Sequence, residues 1–240
     1  MYQHINIFKS YKPLEAQVVF QKGEYVVEVC KDRSSLNTAF ELRYRAYRAD
    51  NAIEENDEGL FYDAFDFTRN HTTYLVWYKG KAIASVRAGI YSKKYNWSPT
   101  EASKHYFKVM GGFTWKNINV LESNRFVVDP KFQGRQSFLA ELLLFRTHAL
   151  NAYAHACEKI VTTTTFNHIP HYENLMGMNI LSAKPKYYDW LNDCITLMGT
   201  GTDIYTNTLL MKGMPEIDPE DMERFTTATT IDSYKNASSF

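Results

Sequence analysis

An apolar run holding a glutamate and an arginine three residues apart limits what this chain of 240 residues can build. The run is Val120-Leu121-Glu122-Ser123-Asn124-Arg125-Phe126-Val127-Val128-Asp129-Pro130. Its flanks read as a strand. Burying a carboxylate and a guanidinium without partners is expensive. A strand that carries both and ends at Asp-Pro therefore reads as the floor of a polar cleft rather than plain core.

The material for a core is present, with 45% hydrophobic residues and no internal repeat, low-complexity block or linker. One domain is expected over residues 1–212, followed by a polar C-terminal tail over 213–240, in which Asp218-Pro219-Glu220-Asp221 could start a short helix. The 27 basic residues cancel the 27 acidic ones, which removes the electrostatic footprint of a nucleic-acid binder. Cys30, Cys157 and Cys194 share no metal or redox spacing and read as reduced thiols of a cytoplasmic protein. No apolar run approaches the ~18 residues of a membrane span, and no signal peptide is read at the N-terminus, so no stable membrane insertion is expected.

Periodicity sets the order of elements. Residues 24–29 alternate as a strand, and Asp32 begins a helix over 36–48 with Leu36, Phe40, Tyr44 and Tyr47 on one stripe. Residues 50–59 form an acidic, Asn-rich loop. Strands at 73–78 and 82–90 flank a hairpin turn at Lys79-Gly80-Lys81. A helix is expected over 101–109, then the opening strand at 119–128, a loop, and a long helix over 137–156. Strand 159–166, helix 169–176, a strand beginning at 180–183 and a last strand at 204–211 complete the reading. Hairpins before residue 119 and alternation after it predict an α/β (α+β) fold, a mixed sheet with helices on both faces.

Charged residues recur against this apolar background: Arg43 in Leu-Arg-Tyr-Arg-Ala-Tyr, Asp63 and Asp66 in Asp-Ala-Phe-Asp, Arg87 in Ser-Val-Arg, and Glu122 with Arg125. Groups of this kind satisfy each other across a cleft. Their order, Leu-Arg-Tyr-x-x-Tyr, Asp-x-x-Asp, Ser-x-Arg and Glu-Ser-x-Arg-Phe, resembles the autoinducer synthases, which make acyl-homoserine lactones. It is also similar to the N-acyl amino acid synthases. Both belong to the GNAT acyltransferase superfamily, and the resemblance covers roughly residues 30–195.

The resemblance implies a mainly antiparallel GNAT-like sheet and acyl transfer to an amine. It implies that Arg43, Tyr47, Asp63, Asp66, Arg87 and Asn124 shape the acceptor pocket, with Arg43 meeting the acceptor's carboxylate. Glu122 would be the base, direct or through water. Arg125 and Phe126 complete the catalytic strand, where backbone N–H groups of residues 126–128 would face the oxyanion. Lactone synthases carry a Trp soon after the first-helix aromatic, on the acceptor side. Residues 50–53 here are Asp-Asn-Ala-Ile, which shifts the expected acceptor from S-adenosylmethionine to an amino acid or related small amine.

The donor is read from the loop Gln133-Gly134-Arg135-Gln136-Ser137. Acetyl-CoA-dependent members carry small residues where Gln136 and Phe138 stand, so that backbone N–H groups can cradle a pyrophosphate. The substitution favours an acyl-phosphopantetheine on acyl-carrier protein over acyl-CoA, with Val127, Val128, Gln133, Gly134, Arg135 and Phe166 as donor-binding residues and no bound cofactor. Lys131, Arg135 and Arg146, with Lys104 and Lys108, are candidates for docking an acidic carrier. Leu142, Phe145, Thr162, Thr164 and Phe166 line an acyl tunnel or serve as core. His168 and His171 have no third ligand nearby, so no metal site is expected. A lactone synthase, an acetyl-CoA acetyltransferase and a non-catalytic ligand-binding protein on the same scaffold stay open as alternatives.

Overall fold

The computed structural model describes residues 13, 15–132, 134–188, 190–191 and 193–230, with Arg135 and Thr230 by backbone alone. Gln133 and residues 231–240 lie outside them.

Among the described residues nine strands make one sheet: β1 (Val18–Lys22), β2 (Tyr25–Val29), β3 (His71–Tyr78), β4 (Lys81–Tyr91), β5 (Val120–Val128), β6 (Lys159–Thr165), β7 (Asn179–Ile180), β8 (Lys186–Tyr188) and β9 (Asp193–Gly201). Their order is β1-β2-β3-β4-β5-β6-β9-β7, with β8 also on β9. Every pairing is antiparallel except β5 with β6. The β3–β4 hairpin turns at Lys79 (φ 51°) and Gly80 (φ 73°), the left-handed pair that a two-residue turn between right-twisted strands requires. The parallel step needs a crossover, and helix α4 (Arg135–Ala154) provides it.

Two layers of helix cover the sheet. Helix α1 (Arg33–Ala49), capped by the Asp32 carboxylate on the Ser35 N–H (2.8 Å), packs Ala39, Phe40, Leu42 and Ala46 against Leu75, Trp77 and Val127. Helices α2 (Glu101–His105) and α3 (Phe107–Trp115) share that face, with Ala102 and Met110 against Val120, Val161 and Leu197. The opposite face carries α4, α5 (Ile169–Met176), α6 (Thr202–Met211) and α7 (Pro219–Thr230). This is the expected mixed, mainly antiparallel sheet with helices on both faces.

Four local expectations change. The helix expected over 101–109 breaks at Tyr106 (φ −119°, ψ 42°) into α2 and α3. The last strand expected at 204–211 is helix α6. Its composition is β-branched and aromatic, but Thr202, Tyr205, Thr208 and Leu209 are the buried positions, a spacing that only a helix presents to one side. The strand lies just before it, in β9. Only Asn179–Ile180 forms the strand expected to begin at 180. Strand β1, at the sheet edge, was not anticipated. Within the stretch expected as a polar tail, α7 inserts Phe225 (0% exposed) beside Tyr74, so the polar residues are that helix's outer face. Among the described residues, no helix is long and apolar enough to cross a membrane.

Candidate active site

Strand β5 alternates as a strand should, up to one residue. Val120 packs under α2 and α3, while Leu121 packs under α4 and α5. Glu122 returns to the α2 face, where Ala102 N–H donates to it (2.9 Å), and Asn124 follows it there. The next residue should turn away, yet Arg125 faces the same side as Asn124. The cause is a bulge. Ser85 pairs with Val127 and Arg87 with Asn124, so β5 holds one residue more than β4. Arg125 takes up the excess in the left-handed region, at φ 51°. For a bulky side chain that conformation costs about 1–3 kcal/mol and persists only where the surroundings enforce it. Beyond the bulge the alternation resumes: Phe126 stacks on Phe145 of α4 (5.2 Å between ring centroids), and Val127 returns to the α1 face.

The surroundings that enforce it are a buried ion network. Arg125 Nη2 donates to Asp63 (2.6 Å) and Glu101 (3.2 Å). Arg87, 0% exposed, donates from Nε to Asn124 (2.7 Å) and from Nη1 and Nη2 to Asp63 (2.6 and 3.1 Å), and it also meets Asp66 (3.0 Å) and Glu101 (3.4 Å). Arg43, also 0% exposed, donates to Asp66 (2.7 Å) and to Thr73 (2.9 Å). Asp63 and Asp66 form a capping box on the turn 64–67, so backbone N–H groups orient both carboxylates alongside the arginines. Burial opposes their charge, but the guanidiniums outweigh it and hold both below the usual carboxylate range. Glu122 behaves differently. Burial and the Glu101 carboxylate push it above that range, against hydrogen bonds from Thr100, Asn124 and Ala102.

The network sits beside an opening in the sheet. Strands β5 and β6 pair only from Val120 with Lys159 to Ser123 with Thr162, and then diverge. A cavity of about 760 Å³ fills the gap. Ala46, Tyr47, Trp190 and Arg125 line it on the α1 side, and Glu141, His171 and Tyr172 line it from α4 and α5. The cavity therefore passes through the sheet and joins its two faces. Asp129 donates its N–H to Ile83 of β4 (2.7 Å), so alternation turns the N–H groups of Phe126 and Val128 toward the gap. Thr162, Thr163, Thr164 and Thr165 line its other edge.

The residues expected from the sequence divide into three groups. Tyr47, Asn124, Arg125, Phe126, Val127 and Val128 line the cavity. Arg43, Asp63, Asp66, Arg87 and Glu122 form the network behind it. Arg43 is enclosed by Asp66 and Thr73 and is not among the residues that line the cavity. Glu122 is 0% exposed, with one oxygen taken by the Ala102 N–H and the other by Asn124 Nδ2 (2.8 Å), and it is not among the residues that line the cavity.

The third group lies apart. Phe166 is 80% exposed, after the end of β6, and Leu142 and Phe145 are core beneath the cavity. Arg146 is buried by α7, bonded to Asp221 and to the carbonyls of Pro215 and Glu216, which removes it from any docking surface. Gly134 (φ 75°) opens α4 without a side-chain cap, while the side chains of Gln133 and Arg135 lie outside the described residues.

Three cavity residues were not anticipated in this role. Trp190 lies over Arg125 (4.1 Å) and against Tyr47 (5.8 Å), with Phe61 closing the cluster (5.3 Å from Trp190). It stands beside the first-helix aromatic from more than a hundred residues away, which no local pattern reveals. Tyr172 is kept protonated by burial, its pKa raised despite bonds toward Thr162 and Thr164. Glu141, raised by burial, lies 3.6 Å from His171, and only the tyrosine's place on a buried helix stripe was legible.

The cavity is thus open to residues of both sheet faces through the gap between β5 and β6. A search of curated protein sequences finds no match. Among solved structures, FeeM, an N-acyl amino acid synthase from uncultured soil microbes, shares the fold at TM-score 0.64 and 15% identity, over 79% of this chain and 97% of that one. The AHL synthase LasI follows at 0.59 and 15%, over 81% and 98%. BjaI, a CoA-dependent acyl-homoserine lactone synthase solved with MTA, gives 0.56 and 13%, over 83% and 93%. At these identities the structures show the fold. The family is shown by a sequence profile for the N-acyl amino acid synthase FeeM, which matches residues 38–200. This chain is an acyltransferase that acts on an amine, and it belongs to the FeeM family of N-acyl amino acid synthases.

Proposed function

We propose that the protein transfers a fatty acyl group from the phosphopantetheine thioester of acyl-carrier protein to the amino group of an amino acid or related small amine. The observation that carries this reading is the cavity passing between β5 and β6, with an ionic and aromatic wall on one face and α4 and α5 on the other. The thioester enters from the α4 side. The free amine, about a tenth of the total at pH 7 for a pKa near 8, approaches from the Tyr47–Trp190 side. Its nitrogen attacks the carbonyl carbon, and the N–H groups of Phe126 and Val128 receive the oxyanion. The C–S bond breaks as the C–N bond forms. Tyr172 gives its proton to the leaving sulfur and regains one from the nitrogen through water. Arg125, on the cavity wall, takes the part toward an acceptor carboxylate that Arg43 is too enclosed to play. Glu122 and Arg87 position Asn124 and Arg125.

The start of α4 supports a carrier-bound donor. Gly134 opens α4 without a side-chain cap, which suits one phosphate, whereas Gln136 and Phe138, both exposed, stand at the positions where small residues would admit a pyrophosphate. The test presents the enzyme with matched acyl-carrier-protein and acyl-CoA thioesters and a panel of amines, with products read by mass spectrometry. Acylated amino acid formed from the carrier thioester supports the proposal. Equal or faster turnover of the CoA thioester overturns the donor assignment. A lactone or acetyl product overturns the reaction assignment, and ligand-induced thermal stabilisation without any turnover would mean that the scaffold only binds.

A further inference from the structure

Helix α3 shows solvent a face that a soluble surface does not call for. Its exposed positions are Phe107, Lys108, Gly111, Gly112, Trp115 and Lys116, a spacing that gathers them on one side. Phe107 is 64% exposed and Trp115 is 90% exposed. The opposite side is anchored, with Met110 fully buried and Val109 and Phe113 packed beside it. The two aromatics thus project from a rigid helix, separated by two glycines that keep the surface between them low.

The charge around them has one sign. Between residues 93 and 119 the chain carries Lys93, Lys94, Lys104, Lys108 and Lys116, and its single acid, Glu101, is buried in the ion network. All five lysines belong to exposed residues. Lys104, Lys108 and Lys116 lie on or beside α3, whereas Lys94 stands over Tyr95 (5.6 Å), which packs against His155 at the end of α4. The whole protein is neutral, which makes this stretch a local basic field. Exposed Trp and Phe among lysines suit an interface with negative headgroups, where the rings enter the boundary and the ammonium groups meet the phosphates.

We infer that α3 and its lysines dock the enzyme reversibly on an anionic lipid bilayer, with Phe107 and Trp115 entering the interface. The placement has a use. The same apolar cluster that seats α3 includes Tyr188, Trp190 and Leu191, which line the cavity. Docking would hold one wall of the cavity close to lipid, into which an acylated, amphiphilic product can pass. The inference stands whichever donor or acceptor the enzyme uses.

Sedimentation with vesicles tests it on the full chain. The protein is mixed with vesicles of phosphatidylcholine and phosphatidylglycerol at 7:3, or of phosphatidylcholine alone, at two salt concentrations. Binding to the anionic vesicles that weakens with salt is expected. F107A/W115A lowers it about tenfold, and K104Q/K108Q/K116Q lowers it roughly fivefold per lysine removed, while turnover of a carrier-free acyl-pantetheine thioester and the melting temperature are unchanged. Wild-type protein that ignores both vesicles overturns the inference, as do variants that bind like wild type. A dimer by light scattering that F107A/W115A dissolves, without vesicle binding, assigns the face to a second copy. A raised KM for carrier thioester in the lysine variant, without vesicle binding, assigns it to the carrier.

Discussion

Replacing Arg87 by Met tests whether the ion network is what holds the site in shape. Methionine keeps much of the stem's volume and removes the guanidinium. Five contacts disappear: Asn124 at 2.7 Å, Asp63 at 2.6 and 3.1 Å, Asp66 at 3.0 Å and Glu101 at 3.4 Å. Removing one partner of a buried ion pair costs about 3–5 kcal/mol, because the other charge is left buried. Here Asp66 keeps Arg43, while Asp63 and Glu101 keep Arg125, so the lower end of that range, about 3 kcal/mol, is expected. The pH dependence has a definite sign. In the wild type Asp63 and Asp66 are held below the ordinary carboxylate range, so their contribution is full above the unfolded value and is lost only as pH falls through the lower folded value. In the variant their folded values rise, and protonation relieves the buried charge. The cost of Arg87→Met should therefore be largest at neutral pH and shrink as pH falls toward about 4. Urea unfolding followed by circular dichroism at pH 7 and near pH 4.5 reads both. A loss below about 1 kcal/mol at pH 7, or one that grows on acidification, would refute the reasoning.

Glu122→Gln should keep acyl transfer within about tenfold (~1.4 kcal/mol of barrier), and a loss beyond a hundredfold at unchanged KM would restore it as the base. Tyr172→Phe should lower kcat about a hundredfold while moving stability by no more than about 1 kcal/mol; a leaving group activated enough to need no proton would narrow the gap. His148 is buried in α4 with its pKa lowered to about 3 by burial, so it is neutral when folded, and unfolding gains a proton as pH drops below about 6.5. His148→Gln should then remove about 2 kcal/mol of the stability lost between pH 7 and pH 5, measured by urea midpoints at both values. Gly89→Ala would place a Cβ 2.6 Å from His71 Nε2 and 3.3 Å from Thr100 Cγ2. A cost of about 1–3 kcal/mol in thermal unfolding is expected, and an unchanged melting temperature would show that the ring can move.

Legibility followed the range of the interaction. Helix α1 and the β3–β4 hairpin were readable from their periodicity and turn residues, and α4, buried nearly all round, from its long run of helix formers. The motif residues Arg43, Asp63, Asp66, Arg87, Glu122 and Arg125 were readable as a set because unpaired charges in apolar context demand partners. What they do was less readable. Arg43 and Glu122 look alike in sequence to residues that meet substrate, and only the fold shows that both are fully enclosed. Helix α6 was misread because Ile, Tyr and Thr favour strands, while packing against α4 decided the matter. Trp190 was invisible because its partners, Tyr47 and Arg125, are remote in sequence.

The spacing in the opening strand carries more than it first shows. In a regular strand residues three apart face opposite sides, so Glu122 and Arg125 could not both look at α1 and α2. Two charges at odd spacing inside one apolar strand, each needing partners in the same cleft, already require an inserted residue. Arg125 is that residue, and the same insertion has a second effect. It offsets β5 against β4 just where β5 leaves β6, and beyond it the N–H groups of Phe126 and Val128 face an opening instead of a neighbour. The ion network and the N–H groups turned toward the gap, the donors of the proposed mechanism, are thus two consequences of one strained residue. The strain is held by Asp63 and Glu101 on its Nη2 and by the indole of Trp190 above its plane. Removing the network should therefore move the donors even where no carboxylate touches the substrate, which is why residues too buried to react can still govern the rate.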